Sequence, residues 1–277
     1  MAKIVTVKQM AAIEKQADEA GLRYDQMMEN AGKAVAEHVL SVWPEAARWR
    51  ILILVGTGNN GGDGLVAGHY LAASGAEVSY YLVEARPDDD PNLQRVREKD
   101  AMVAVAGTDS GGRGLNKLVE TCNLLIDAML GTGFKLPLRE EAQALLKRVG
   151  QRRALRERRL PVVAIDCPSG LECDSGEVAA ECIAADITVA LAAAKPGLLR
   201  RPGADFVGRI HIGDIGMTEK STSLGEIDLE MMDAALARAW LPRRDRYAHK
   251  GTFGRTLIVA GSINYPGAAV LAGKGAY

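Results

Sequence analysis

The apolar run Ile51-Leu52-Ile53-Leu54-Val55 ends directly on Gly56-Thr57-Gly58-Asn59-Asn60-Gly61-Gly62-Asp63-Gly64. A short run with no polar face reads as a strand buried on both sides, which places it inside a parallel sheet covered by helices on both faces. Five glycines in the nine residues that follow exceed what a strand-to-helix turn needs. Such a loop lets backbone N–H groups approach an anion, with the dipole of a helix beginning near Leu65 behind them. The loop lacks the G-K-[ST] of a Walker A motif and only loosely matches G-x-G-x-x-G.

Further strand patterns fall at 76–83, 124–130, 161–166, 187–193 and 208–215, separated by helical stretches. Ahead of them, Thr6 can cap a helix to Ala20 with Met10, Ile13 and Ala17 on one face. A second helix runs from Asp25 to Val42 with Met27, Ala31, Ala34 and Val35 inward. The alternation predicts an α/β fold: a Rossmann-like three-layer αβα sandwich with a mostly parallel central sheet and an N-terminal helical prelude. The polar stretch 217–230 reads as a linker, with a boundary near 225 dividing a domain over 1–225 from residues 226–277. That tail offers one strand, TLIVAG at 256–261, and the start of a Gly/Ala-rich helix, too little for a core of its own.

With 34 basic against 35 acidic residues, no long-range field draws the chain to nucleic acid or to an anionic membrane, so phosphate recognition must be local. Four cysteines without C-x-x-C spacing suit reduced thiols. The charged N-terminus lacks a signal-peptide core, and no 18-residue apolar stretch suggests a span. A cytoplasmic location is the expectation.

Ligands of an open parallel sheet sit beyond the carboxyl ends of its strands. A second such end is Asp127-Ala128-Met129-Leu130-Gly131-Thr132-Gly133-Phe134-Lys135, a carboxylate ahead of another glycine pair. A third is Ile165-Asp166-Cys167-Pro168-Ser169-Gly170. Asp127 and Asp166 on neighbouring strands are expected to face one pocket, where differing surroundings can give two carboxylates different roles. Asn60, Asp127 and Ser169 offer only oxygen ligands, so a metal shared by them would be a hard cation rather than zinc.

Taken in order, Met28-Glu29-Asn30-Ala31-Gly32, the glycine loop, the Asp127 segment, Ala164-Ile165-Asp166-Cys167-Pro168-Ser169-Gly170 and Lys195-Pro196-Gly197 resemble the NAD(P)HX epimerase family, the YjeF N-terminal domain, over about residues 5–215. The resemblance implies an isomerase that interconverts the R and S epimers of hydrated NADH and NADPH at C6 of the nicotinamide ring. It implies that Asn59, Asn60, Gly61, Gly62 and Asp63, with Gly131, Thr132, Gly133, Phe134, Lys135, Leu136 and Pro137, hold the dinucleotide. Asp166 would stand at the reactive ring as the catalytic acid–base group, and Asn60, Asp127 and Ser169 would hold one K+ per subunit. A homodimer is expected. The tail, through His249-Lys250-Gly251-Thr252-Phe253-Gly254-Arg255 and Gly261-Ser262, resembles the opening of the ADP-dependent NAD(P)HX dehydratase, which follows the epimerase in two-domain relatives. No dehydratase activity is expected of so short a piece.

Other readings use the same residues. Arg152, Arg153, Arg156, Arg158 and Arg159 could be an RNA patch, but a solvated helix face is the simpler expectation. His38, His69 and His211 have no nucleophile at telling spacing and read as structural, and Cys167 as a small buried residue. A hydride-transferring NAD(P) oxidoreductase would need an acidic ribose-binding residue some 20 positions past the first loop, where Glu84 stands. A non-catalytic binding module would bind ligand without turnover.

Overall fold

The computed structural model describes residues 2–217, 223–241, 245–249 and 251–277. Part of the expected linker, 218–222, and Lys250 of the tail motif lie outside the described residues. The chain divides into two compact units, Met1–Met232 and Asp233–Tyr277.

Two helices open the first unit, α1 (Val7–Glu19) and α2 (Tyr24–Val42). Thr6 caps α1 as expected: its hydroxyl accepts the Gln9 N–H at 3.2 Å and the Gln9 side chain accepts the Thr6 N–H at 2.8 Å, which satisfies two first-turn donors. Seven strands follow, β1 (Arg50–Val55), β2 (Glu77–Leu82), β3 (Met102–Val105), β4 (Leu124–Ala128), β5 (Val162–Ile165), β6 (Ile187–Leu191) and β7 (Arg209–Gly213). Between them run α3 (Asn59–Ala73), α4 (Pro91–Arg97), α5 (Arg113–Thr121) and α6 (Glu140–Ala154). The sheet is parallel throughout in the order β3-β2-β1-β4-β5-β6-β7.

The three layers are those expected. Residues Ile51, Ile53 and Val55 of β1 pack with Val35, Val39, Leu65 and Leu71 of α2 and α3, while Leu52 and Leu54 pack with Leu115, Val119, Leu146 and Val149 of α5 and α6. Burial on both faces is the reason β1 is apolar without alternation. The chain leaves β1 first toward β2 and later toward β4, so the order reverses between β1 and β4 and a crevice opens at their carboxyl ends.

Three expectations need correction. The strand β3 had no sequence signal, being four residues at the sheet edge and mostly half-buried. The arginine run is not simply a solvated face. Arg156 donates to the carbonyls of Val119 (2.5 Å), Glu120 (2.6 Å) and Cys122 (3.0 Å), neutralising the carboxyl end of α5, and Arg153 and Arg159 both pair with Asp186. In the second unit, which holds α7 (Ala234–Trp240) and α8 (Gly267–Ala276), residues 256–261 form no strand. Leu257 and Val259 stay exposed there, and an isolated strand has no ladder to satisfy its backbone.

A short N-terminal strap positions α1. Val5 N–H donates to the Ala194 carbonyl and Ala194 N–H to the Lys3 carbonyl, both at 2.9 Å, while Lys3 Nζ reaches the Ile227 carbonyl and Glu230. The strap sets α1 beside residues 193–195, with Met10 and Ile13 in a cluster with Ala193 and Leu224. Across the sheet's far end, His38 and His211 stack at 3.8 Å, and burial pushes the His38 imidazole down to about 4, which fits a neutral structural pair.

Candidate active site

The first glycine loop is shorter than the sequence suggested. The helix begins at Asn59 instead of near Leu65, so Asn60, Gly61, Gly62, Asp63 and Gly64 are helical and buried. None of the loop's glycines has positive φ. They serve close approach instead: a Cβ at Gly56 would sit 1.8 Å from the Met129 carbonyl oxygen, and one at Gly64 would meet Ala128 Cβ at 2.5 Å. Helix α3 is thereby pressed against the ends of β1 and β4. The N-terminus of α3 stands at the carboxyl end of β1, with Asn59 exposed, and a helix N-terminus carries backbone donors without intrahelical partners.

Arg86, past the end of β2, fixes this loop. Its Nη1 donates to the carbonyls of Gly56 (2.6 Å) and Gly58 (3.1 Å), and its Nε to Asp90 Oδ2 at 2.7 Å. Nothing in the local sequence marks this arginine, because its role depends on a partner loop some 30 residues earlier.

At the end of β4, Asp127 is 1% exposed. Both its oxygens turn to Ser169: Oδ2 accepts the Ser169 N–H at 2.8 Å and Oδ1 its hydroxyl at 2.5 Å, while Ser169 Oγ accepts the Leu130 N–H at 2.9 Å. Burial raises the Asp127 carboxyl, and the hydrogen bonds from Ser169 oppose that rise. Asn60 lies against this corner, since a Cβ at Gly131 would meet the Asn60 side chain at 3.1 to 3.5 Å. Its amide oxygen and nitrogen are both buried with no hydrogen-bond partner among the described residues. Beyond it, residues 131–137 form a half-exposed turn over the end of β4.

At the end of β5, Asp166 adopts φ of +64°, rare for a residue with a Cβ and held here by its N–H donating to the Val189 carbonyl at 2.8 Å. Oxygen Oδ1 accepts the Lys195 ammonium, in a contact shorter than an ordinary hydrogen bond, and the Leu191 N–H at 3.2 Å. Oxygen Oδ2 accepts no hydrogen bond among the described residues. Lys195 is 1% exposed and also donates to the Leu191 carbonyl at 3.1 Å. Burial works to lower its pKa, but the Asp166 carboxylate outweighs that and the net shift is upward, so the pair is ionic.

The two strand-end aspartates take different partners. Asp127 turns to Ser169 and Asp166 to Lys195, and the carboxyls in the field of Asp166 are Asp63 on α3 and Glu14 on α1. Burial pushes Asp63 well above the ordinary range, the charges of Asp166 and Glu14 push it further, and Lys195 opposes them. Glu14 of α1 is likewise raised by burial, against Lys195 and with Asp166. Sequence reasoning missed Glu14, although a signal existed: it lies at i+4 from Met10 and i−3 from Ala17, a carboxylate on the face that α1 buries. The arrangement joins one ionic pair with an outward carboxylate oxygen to two carboxyls biased toward the protonated state, all beside a helix N-terminus. Such a set can exchange protons with a ligand that is anchored by phosphate.

Comparison with known proteins identifies the family. A family model described as YjeF-related protein N-terminus matches residues 24–197, a span that holds both glycine loops, Asp127, Asp166, Ser169 and Lys195. The chain is 38% identical over 256 residues to the bifunctional NAD(P)H-hydrate repair enzyme Nnr of Moorella thermoacetica, covering 90% of this chain and 47% of that protein. It is 33% identical to the enzyme of the same description from Escherichia coli, covering 94% and 48%. The chain therefore spans about half the length of the curated relatives it matches. The crystal structure of yeast ynu0, YNL200c, superposes with a TM-score of 0.62 at 25% identity over 70% of this chain and 82% of that one. With strands β1 to β6 and the strand-end residues inside the matched span, the chain belongs to the YjeF-related protein N-terminus family.

Proposed function

We propose that this chain is the epimerase part of an NAD(P)H-hydrate repair enzyme and that it interconverts the R and S epimers of NADHX and NADPHX. The observation that carries the reading is the Asp166 carboxylate: Oδ1 is held by Lys195 and the Leu191 N–H while Oδ2 is left for a ligand. Epimerising a carbon that bears a hydroxyl next to nitrogen requires a bond there to open and re-form on the other face, with a proton leaving and returning. A fixed carboxylate does that work, and residues 59–63 and 131–137 would hold the dinucleotide across the ends of β1 and β4. The curated relatives are named as repair enzymes of NAD(P)H hydrates, which supports the substrate class.

The test mixes both NADHX epimers with this protein, K+ and a separate dehydratase specific for the S form. Wild type is expected to draw down the R form, and Asp166→Ala to slow that by about 10²-fold or more. Persistence of the R form with well-folded wild type would sink the reading.

Asn60, Asp127 and Ser169 would hold the K+ ion. The unpartnered buried amide of Asn60 beside an all-oxygen corner fits a hard monovalent cation. Bound there, the cation would supply positive charge beside the dinucleotide phosphates. A higher melting temperature in KCl than in choline chloride at equal ionic strength is expected, worth about 1–3 kcal/mol at K+ concentrations ~10–100 times the dissociation constant. Asn60→Ala should abolish the difference, and a wild-type melt indifferent to K+ would refute the site.

Residues 226–277 are assigned to the opening of a dehydratase domain, so a dehydratase, fused or separate, is the functional partner. A cytoplasmic homodimer completes the proposal. No helix among the described residues is long and apolar enough to cross a membrane.

A further inference from the structure

A dinucleotide reaches well beyond Asp166, and its adenosine half needs a place along the same edge of the sheet. Following the strand order, β2 stands three positions from β5, so their carboxyl ends lie roughly 14 Å apart at ~4.8 Å per strand. Both glycine loops fall between them, at the ends of β4 and β1. At the far end of that path a cavity of about 670 Å³ opens between the ends of β2 and β3 and the first turns of α5 and α6. That volume lies within the range of small-molecule sites.

Its lining has a definite chemistry. Exposed Ala85 and Ala144 and half-buried Val105 and Ala106 provide apolar surface, backed by the buried Val83, Leu115 and Leu145. Asp109 also lines it but is fully engaged, accepting the N–H groups of Gly114 and Leu115 at 2.9 Å and the Tyr81 hydroxyl at 3.1 Å. Arg148 is tied down by donating to the Gly111 carbonyl at 2.8 Å. Two exposed carboxylates remain, Glu84 directly past β2 and Glu141 in the first turn of α6, and neither has a hydrogen bond or ion pair among the described residues. Glu84 also occupies the position, at the end of the second strand, from which an acidic side chain accepts a ribose 2′-hydroxyl in doubly wound folds.

We propose that this cavity is the adenosine subsite, with adenine on the apolar surface and the ribose 2′-hydroxyl donating to Glu84, and that the two carboxylates set a preference for NADHX over NADPHX. The inference rests on the NAD(P)HX reading and adds to it the half of the substrate that does not react. A 2′-phosphate brings close to two negative charges to a lining in which Glu84, Asp109 and Glu141 outnumber Arg148.

The experiment titrates the full chain calorimetrically with ADP-ribose and with 2′-phospho-ADP-ribose. ADP-ribose is expected to bind about tenfold tighter. Glu84→Arg should reverse the order, and Ala144→Trp, which projects a ring into the cavity, should weaken ADP-ribose by a similar factor. Melting curves confirm that each variant is folded. Equal affinities, no binding of either ligand by folded wild type, or a preference untouched by Glu84→Arg would each overturn the subsite. Asp166→Ala, titrated in parallel, should keep the preference. Epimerisation of NADHX and NADPHX at equal efficiency would overturn the subsite and leave the epimerase standing, whereas the ADP-ribose preference without any turnover would support the subsite and remove the epimerase.

Discussion

Lys195→Met is expected to destabilise the protein by about 3 kcal/mol, in the range for removing one partner of a buried ion pair. The ammonium is almost fully enclosed, and among the described residues its hydrogen bonds go to the Asp166 carboxylate and the Leu191 carbonyl. Its removal leaves a buried carboxylate at the end of β5 with one backbone N–H and no compensating cation among the described residues. The loss should be read by urea unfolding and checked by a cycle with Asp166→Asn. The double variant has no stranded charge, so it should be more stable than Lys195→Met alone. If Lys195→Met lost under about 1 kcal/mol, the pair would have to be treated as a solvated surface bridge. The same variant should lose R-epimer consumption, since nothing but the Leu191 N–H would then fix the carboxylate.

The second large effect is at Gly61. Within an exposed helix, glycine to alanine ordinarily stabilises by up to about 1 kcal/mol, because it reduces the freedom of the unfolded chain. Here the sign should reverse. A Cβ at Gly61 would lie 2.0 Å from the Gly56 carbonyl oxygen and 2.8 Å from Arg86 Nη1. The obstacle is backbone, so relief requires moving the first turn of α3 away from the end of β1, against the Arg86 contacts that hold the loop. A loss of about 3 kcal/mol or more is expected. Gly150 on α6 provides the control, for it is also helical but has nothing within 4 Å of its would-be Cβ. Gly150→Ala should stabilise by about 0.5–1 kcal/mol. Matching effects at the two positions in chemical denaturation would show that the close approach is not a constraint.

What the sequence made legible was local. The run 51–55 announced a strand buried on both faces, and Thr6 announced a helix start, because periodicity and capping are written within a few residues. The start of α3 was misjudged because glycines weaken an isolated helix, while here tertiary packing of Gly61 and Gly64 outweighs propensity. Strand β3 was silent because an edge strand needs little apolar burial. TLIVAG was the opposite failure, a strong strand pattern with no partner in its unit. The strand-end aspartates could be found, but not which way they turn. That Asp127 pairs with Ser169 and Asp166 with Lys195 depends on register across β4, β5 and β6, and Glu14 arrives through a strap that joins residues 3–5 to residue 194.

Arg86 carries a last consequence. Its guanidinium occupies the carbonyls of Gly56 and Gly58 and ties the first loop to the segment past β2. The loop is thus held in one conformation by the protein's own contacts. A glycine-rich segment is usually thought of as pliable, and binding to a pliable segment forfeits affinity to the ordering it imposes. Here the glycines are immobilised by contact and the arginine completes the lock. On the proposed reading, a phosphate held by residues 59–63 would meet a rigid mould, and encounter rather than rearrangement would govern how fast it is filled.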